Sequence, residues 1–137
     1  MGDIVMKKVV LAGAILLDKN NKILLMHRNT KDLKQWELPG GKLEENELPE
    51  QAVIRELKEE LNIKVQIIKY IGFKEFEDNG IMLKYHWYKC EIKSGIPELM
   101  EEKFDDIKYF SNNELISSKE LSSNMRTIIS NINIDNI

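Results

Sequence analysis

The sequence predicts an α+β or α/β sandwich built on a mixed sheet, and three features of the 137-residue chain carry that prediction. Strand-like apolar runs stand before, between and after helical patterns. Asp78-Asn79-Gly80 is a strong hairpin signal between two long strand-like segments. The segment from Pro49 to Leu61 repeats its apolar residues at helical spacing. The length suits a single domain, residues 1–137.

Element by element, Val9 to Leu17 reads as a buried strand and Asp18-Lys19-Asn20-Asn21 as a turn. Ile23 to Met26 then returns as a second strand, which predicts a hairpin. Asn29 to Gln35 is polar and reads as a loop. Pro39-Gly40-Gly41 is a backbone break, because paired glycines adopt angles that other residues resist. Pro49 suits a first helical turn, where its missing N–H costs nothing. Ala52, Val53, Leu57 and Leu61 then give that helix one apolar face. Asn62 fits the left-handed position past the helix end. Val65 to Phe76 and Ile81 to Ile92 are two further strands, and Ile107 to Phe110 is a short one. Ser111 caps a short helix running to Leu115. A final helix covers Ser123 to Ser130, with Ile128 and Ile129 to bury, and Asn131 to Ile137 is expected to fray.

Composition narrows the function. The longest apolar stretch is too short to span a bilayer, so no membrane partner is expected. Lys7 and Lys8 precede it as in a signal peptide, but no small-residue cleavage site follows. Cys90 is the only cysteine, which excludes an internal disulfide and suits a reducing cytoplasm. Its neighbours Trp87, Tyr88 and Ile92 make it a strand residue rather than a nucleophile. Net charge is −3 and the acid is clumped, in Glu44 to Glu60 and in Glu98 to Asp106. A nucleic-acid polymer would need a basic stripe, so that partner is excluded too.

Spacing turns the first acidic clump into a candidate site. Glu56, Glu59 and Glu60 stand three and four residues apart and share one helix face. Like charges there destabilise the helix by a few tenths, roughly, of a kcal/mol per pair, and a cation would offset this. Grouped carboxylates suit Mg²⁺, with Mn²⁺ as an alternative, and such ions also take phosphate oxygens and water. Arg55, four residues before Glu59, can hold that carboxylate in place.

Gly41, Glu47, Arg55-Glu56-Leu57 and Glu59-Glu60 to Ile63 resemble the Nudix box, Gly-x5-Glu-x7-Arg-Glu-U-x-Glu-Glu-x-Gly-U, where U is a bulky aliphatic. Every specified position matches except the last glycine, which is Asn62 here. Asn tolerates the left-handed turn, so the departure predicts a slight stability cost and no loss of activity. The entering segment, Trp36 to Glu44, is similar to that of MutT-type nucleotide pyrophosphohydrolases.

The resemblance implies the family's α/β/α sandwich with a catalytic loop-helix-loop. It implies Glu56 and Glu60 as main metal ligands, Glu59 assisting, and a carbonyl from Gly40. Glu101, with Glu102 next, would complete the site from a later loop. Glu59 or Glu101 would accept the proton of the attacking water, with Arg55 supporting the catalytic group. Glu37, Leu38, Pro39 and Gly40 would border the substrate. Arg28 would reach the phosphates, or else cap a strand. Asn124 would read a purine edge, or else cap the last helix. His27 reads as structural or exposed, and Trp36 as packing under the loop rather than stacking on a base.

The activity implied is Mg²⁺-dependent hydrolysis of a nucleoside triphosphate to monophosphate and pyrophosphate, with 8-oxo-dGTP the favoured substrate. A pyrimidine or general (d)NTP pyrophosphohydrolase is the alternative. A nucleotide-binding domain without catalysis is disfavoured, because such domains lose box glutamates and Glu47, Glu56, Glu59 and Glu60 are all present. The partner implied is a small nucleotide; monomer or homodimer stays open.

Overall fold

A computed structural model describes residues 7–137, and residues 1–6 of the predicted domain lie outside the described part. In chain order the elements are β1 (Lys8–Leu16), β2 (Ile23–Asn29), β3 (Lys34–Glu37), β4 (Gly40–Lys42) and α1 (Pro49–Leu61). After them come β5 (Lys64–Asp78), β6 (Ile81–Ser94), β7 (Phe104–Phe110), α2 (Asn112–Ser117) and α3 (Ser123–Asn131). One sheet has the order β4-β1-β6-β5, with β1 and β6 parallel and its other pairs antiparallel; the second is antiparallel β3-β2-β7.

Both sheets lie in the middle of an α/β/α sandwich. Ala12, Ala14 and Leu16 of β1, with Leu24 and Met26 of β2, pack under Ala52, Val53, Leu57 and Leu61 of α1. The alternate residues Ile15, Ile23 and Leu25 pack on the opposite side with Leu115 of α2 and Met125 and Ile128 of α3. Helices on both faces explain why Ala12–Leu16 reads as an unbroken buried run instead of an alternating one.

The helix predicted over Pro49–Leu61 has those bounds, with Pro at its start and Asn62 left-handed at φ 55° and ψ 38°. The Leu48 N–H that precedes it is satisfied by Gln51 Oε1 at 2.8 Å. The β5–β6 hairpin turns at Asn79 and Gly80, both at positive φ, and Ser111 caps α2 as expected.

Three expectations fail. The β1–β2 hairpin does not form a ladder, since only Leu17 and Ile23 bridge. The turn is there, with Asp18 Oδ1 accepting the Asn20 and Lys22 N–H groups at 2.8 and 2.9 Å. Beyond it both edges of β1 are taken by β4 and β6, and both edges of β2 by β3 and β7. The polar stretch Asn29 to Gln35 is not all loop: β2 runs through Asn29, Thr30 and Leu33 close a tight turn, and β3 begins at Lys34. Its edge position leaves β3 partly exposed, so its composition carries no apolar signal. The C-terminus does not fray either: Ile134–Asn136 forms a short 3₁₀ turn and Ile134, 2% exposed, packs in the second core.

Candidate active site

The polar face of α1 meets the glycine loop at β4, and Arg55 organises the contact. Its Nε and Nη2 donate to the two oxygens of Glu47 at 2.7 and 2.8 Å. Nη1 donates to Glu56 at 3.0 Å and Glu59 at 3.1 Å, and Nη2 also donates to the Lys42 carbonyl at 3.0 Å. These bonds hold the Glu47 carboxyl down at about 2. Glu47 thus ties the loop to the helix and keeps the arginine aimed at Glu56.

Glu60 is 4% exposed and accepts the Gly40 N–H at 2.8 Å. Burial, with the Glu56 charge beside it, pushes its pKa well above the ordinary carboxylate range. Glu56 is also raised, by burial first and then by Glu59 and Glu101, against the opposing pull of Arg55. Bare backbone lets the glycine loop pack against β1 on one side and against Glu56 on the other. Gly40 has φ 151° and a Cβ there would fall 2.3 Å from the Ala12 carbonyl oxygen. A Cβ on Gly41 would fall 2.6 Å from Glu56 Oε1.

A buried and a half-buried carboxylate with raised proton affinity are short of positive charge even with Arg55 beside Glu56, and a hard divalent cation fits that deficit. Among the described residues, no three His, Cys, Asp or Glu side chains are gathered to enclose an ion by themselves. Glu59 is 54% exposed and paired with Arg55; Glu101 is 36% exposed and paired with Lys103 at 3.4 Å. Glu56, Glu60 and backbone would leave the remaining positions on an ion to substrate oxygens and water.

The carboxylates open on a cleft of about 400 Å³, within the range of small-molecule sites. Arg28, Glu37, Leu38, Gly40, Glu56, Glu60 and Asn124 all line it. Pro39, Glu59 and Glu101 do not; the Pro39 carbonyl instead accepts the Ala14 N–H at 2.9 Å. The loop bearing Glu101 is nevertheless pinned beside the site, because Glu98 N–H and Met100 N–H bond the Leu61 and Glu60 carbonyls at 3.0 and 3.1 Å. Asn62 adds a side-chain bond to Glu98 at 3.1 Å. Arg28 forms a two-point ion pair with Glu37 and lies over the Phe104 ring, 4.9 Å from its centroid.

Asn124 is not the cap of α3: Ser122 takes that role, accepting the Met125 N–H at 3.1 Å. Trp36 packs between His27 and Phe110, at 4.8 Å from each, and does not face the cleft. His27 is structural, bonded to Asp105 at 2.7 Å and Glu120 at 3.2 Å. Cys90 is buried, and burial pushes its thiol up to about 12, so it is no nucleophile. The sequence reading missed Leu83 and Tyr85, which line the cleft, and Trp87, which bonds Asn124. Their alternation along β6 marks one face, but periodicity alone does not say which layer that face meets. Among the described residues, no helix is long and apolar enough to cross a membrane.

The family model of the NUDIX domain matches residues 7–132. An 8-oxo-dGTP diphosphatase of Proteus vulgaris is 48% identical over 83 residues, covering 58% of this chain and 74% of that protein. A CTP pyrophosphohydrolase of Escherichia coli (strain K12) is 33% identical over 84 residues, covering 59% of this chain and 62% of that protein. Among solved structures, a MutT NUDIX hydrolase from Burkholderia pseudomallei superposes with a TM-score of 0.81 at 26% identity, covering 93% of this chain and 99% of that one.

Proposed function

The chain belongs to the Nudix family, and from that premise we propose that it is a MutT-like pyrophosphohydrolase of nucleoside triphosphates. One observation carries the reading: buried Glu60 and half-buried Glu56 face a cleft of nucleotide size beside a backbone stripped of Cβ atoms. A bound divalent cation, Mg²⁺ by preference, would neutralise polyphosphate charge and lower the pKa of coordinated water. Glu56 and Glu60, with the Gly40 carbonyl, are the groups we assign to holding it. Arg55 keeps Glu56 and Glu59 in place. We assign the proton of the attacking water to Glu101, whose loop is pinned beside Glu60, or to Glu59 on the same helix face; neither lines the cleft, so either would have to turn toward the water to take it.

Water oxygen bonds to the β-phosphorus as the bond from that phosphorus to the α–β bridging oxygen breaks. Nucleoside monophosphate leaves with the bridging oxygen, and water supplies the oxygen gained by pyrophosphate. Arg28 reaches the phosphates by exchanging its bond with Glu37. The lone buried thiol suits a reducing cytoplasm, where we place the enzyme.

Sanitation of oxidised guanine nucleotides is the favoured use, supported by the likeness to the Proteus vulgaris diphosphatase. A pyrimidine substrate is the second reading, favoured by the likeness to the CTP pyrophosphohydrolase. A panel of 8-oxo-dGTP, dGTP, dCTP and CTP with Mg²⁺, read by pyrophosphate release and product chromatography, tests both. The expected products are monophosphate and pyrophosphate, fastest from 8-oxo-dGTP. Orthophosphate and diphosphate, or no turnover of any member, would contradict the proposal.

A further inference from the structure

The nucleotide reading leaves open what part of a base the cleft selects, and a buried hydrogen bond bears on that. Trp87 Nε1 donates to Asn124 Oδ1 at 2.9 Å. Both side chains are buried, Trp87 at 2% and Asn124 at 8% exposure, and Asn124 lines the cleft. An indole N–H has no lone pair and can only donate, so the amide must turn its oxygen toward Trp87. The reversed amide would set two donors face to face. The orientation of Asn124 is therefore fixed by chemistry and not by a choice between similar-looking atoms.

The amide nitrogen has no hydrogen-bond partner in the protein among the described residues, and no buried side-chain nitrogen or oxygen there lacks one. Its NH₂ group is thus in contact with open space, and the cleft is the space Asn124 borders. Trp87 pairs in register with Gly13, which pairs in turn with Gly40 at the carboxylate end. Two inter-strand spacings, about 10 Å, separate these backbones. Leu11, Leu83 and Tyr85 supply apolar and aromatic wall to the same cleft, as a flat base requires.

We propose that Trp87 is a positioning residue for base selection: it locks Asn124 with its NH₂ toward the cleft, so that the chain favours bases with an exocyclic oxygen at purine C6 or pyrimidine C4. An amine at that position would put donor against donor. The inference rests on the nucleotide reading of the cleft, but its test does not need turnover.

The experiment is calorimetric binding of nucleoside monophosphates in matched pairs, dGMP against dAMP and dUMP against dCMP, with Mg²⁺ present. The wild-type protein is expected to bind the oxygen-bearing member of each pair about tenfold more tightly. Trp87→Phe keeps the ring and removes the donor, so the preference should fall to about twofold as the amide turns freely. Asn124→Asp keeps an acceptor for the indole and replaces NH₂ with oxygen, so the preference should reverse. If Trp87→Phe does not fold, Asn124→Asp decides alone, because it preserves the buried bond. Equal discrimination in all three proteins, or a wild-type preference for the amines, would overturn the proposal. Discrimination without any hydrolysis would instead sink the hydrolase reading and leave this one standing.

Discussion

Glu60 shows how much of the site is decided by one side chain. An acid 4% exposed beside a second acid is an unfavourable charge, compensated by one backbone N–H from Gly40. Its folded pKa lies well above the ordinary value of 4.5. A raised carboxyl pKa contributes stability that is fully present below 4.5 and lost as pH rises through the folded value. Metal-free protein should therefore lose stability toward neutral pH, and Glu60→Gln should raise Tm at pH 8 while matching wild type near pH 4. Mg²⁺ should restore the wild-type Tm by mass action and do little for the variant. Thermal melts with chelator and with added Mg²⁺ check this; a variant less stable than wild type at pH 8 would count against it. The acidic residues were legible from spacing along one helix. The Trp87–Asn124 bond was not, because it joins residues 37 apart through tertiary packing.

Among elements, α1 was read with its true bounds because its cues are local: proline at the start, apolar residues every three or four, and an Asn able to turn left at the end. The β1–β2 hairpin was misread because a turn signal says that the chain reverses, not which edges pair. A less obvious join between elements is His27 on β2, which bonds Asp105 on β7 and Glu120 in the segment leading to α3. That segment is also stitched to β3, since Trp36 N–H bonds the Glu120 carbonyl at 2.7 Å and Ser122 N–H bonds the Trp36 carbonyl at 3.0 Å. Burial of the ring alone would lower the His27 pKa, but the bonds to Asp105 and Glu120 outweigh it and hold the value above 6.5. A raised histidine contributes stability fully present below 6.5 and lost as pH rises through its folded value. Denaturant titrations should show wild-type stability declining with pH above 6.5, and His27→Gln should flatten that decline. An unchanged slope in the variant would remove His27 as its source.

At the scale of the molecule, helices on both faces of the strand layer place the glycine loop of β4 against α1 and the start of α3 across the same cleft. The layer order was legible from strand and helix succession together with the box that Gly41 to Ile63 resemble. The partition into two sheets was not, because pairing is settled by which edges remain free. On the proposed function, the acidic face of α1 handles the metal and phosphate chemistry. Turnover of Glu56→Gln against wild type, with saturating Mg²⁺ and nucleoside triphosphate, tests it most directly, provided circular dichroism shows the fold intact. The expected kcat is lower by on the order of a thousandfold, as when one preorganised charge-stabilising group is removed. A folded variant with near-normal kcat would contradict it.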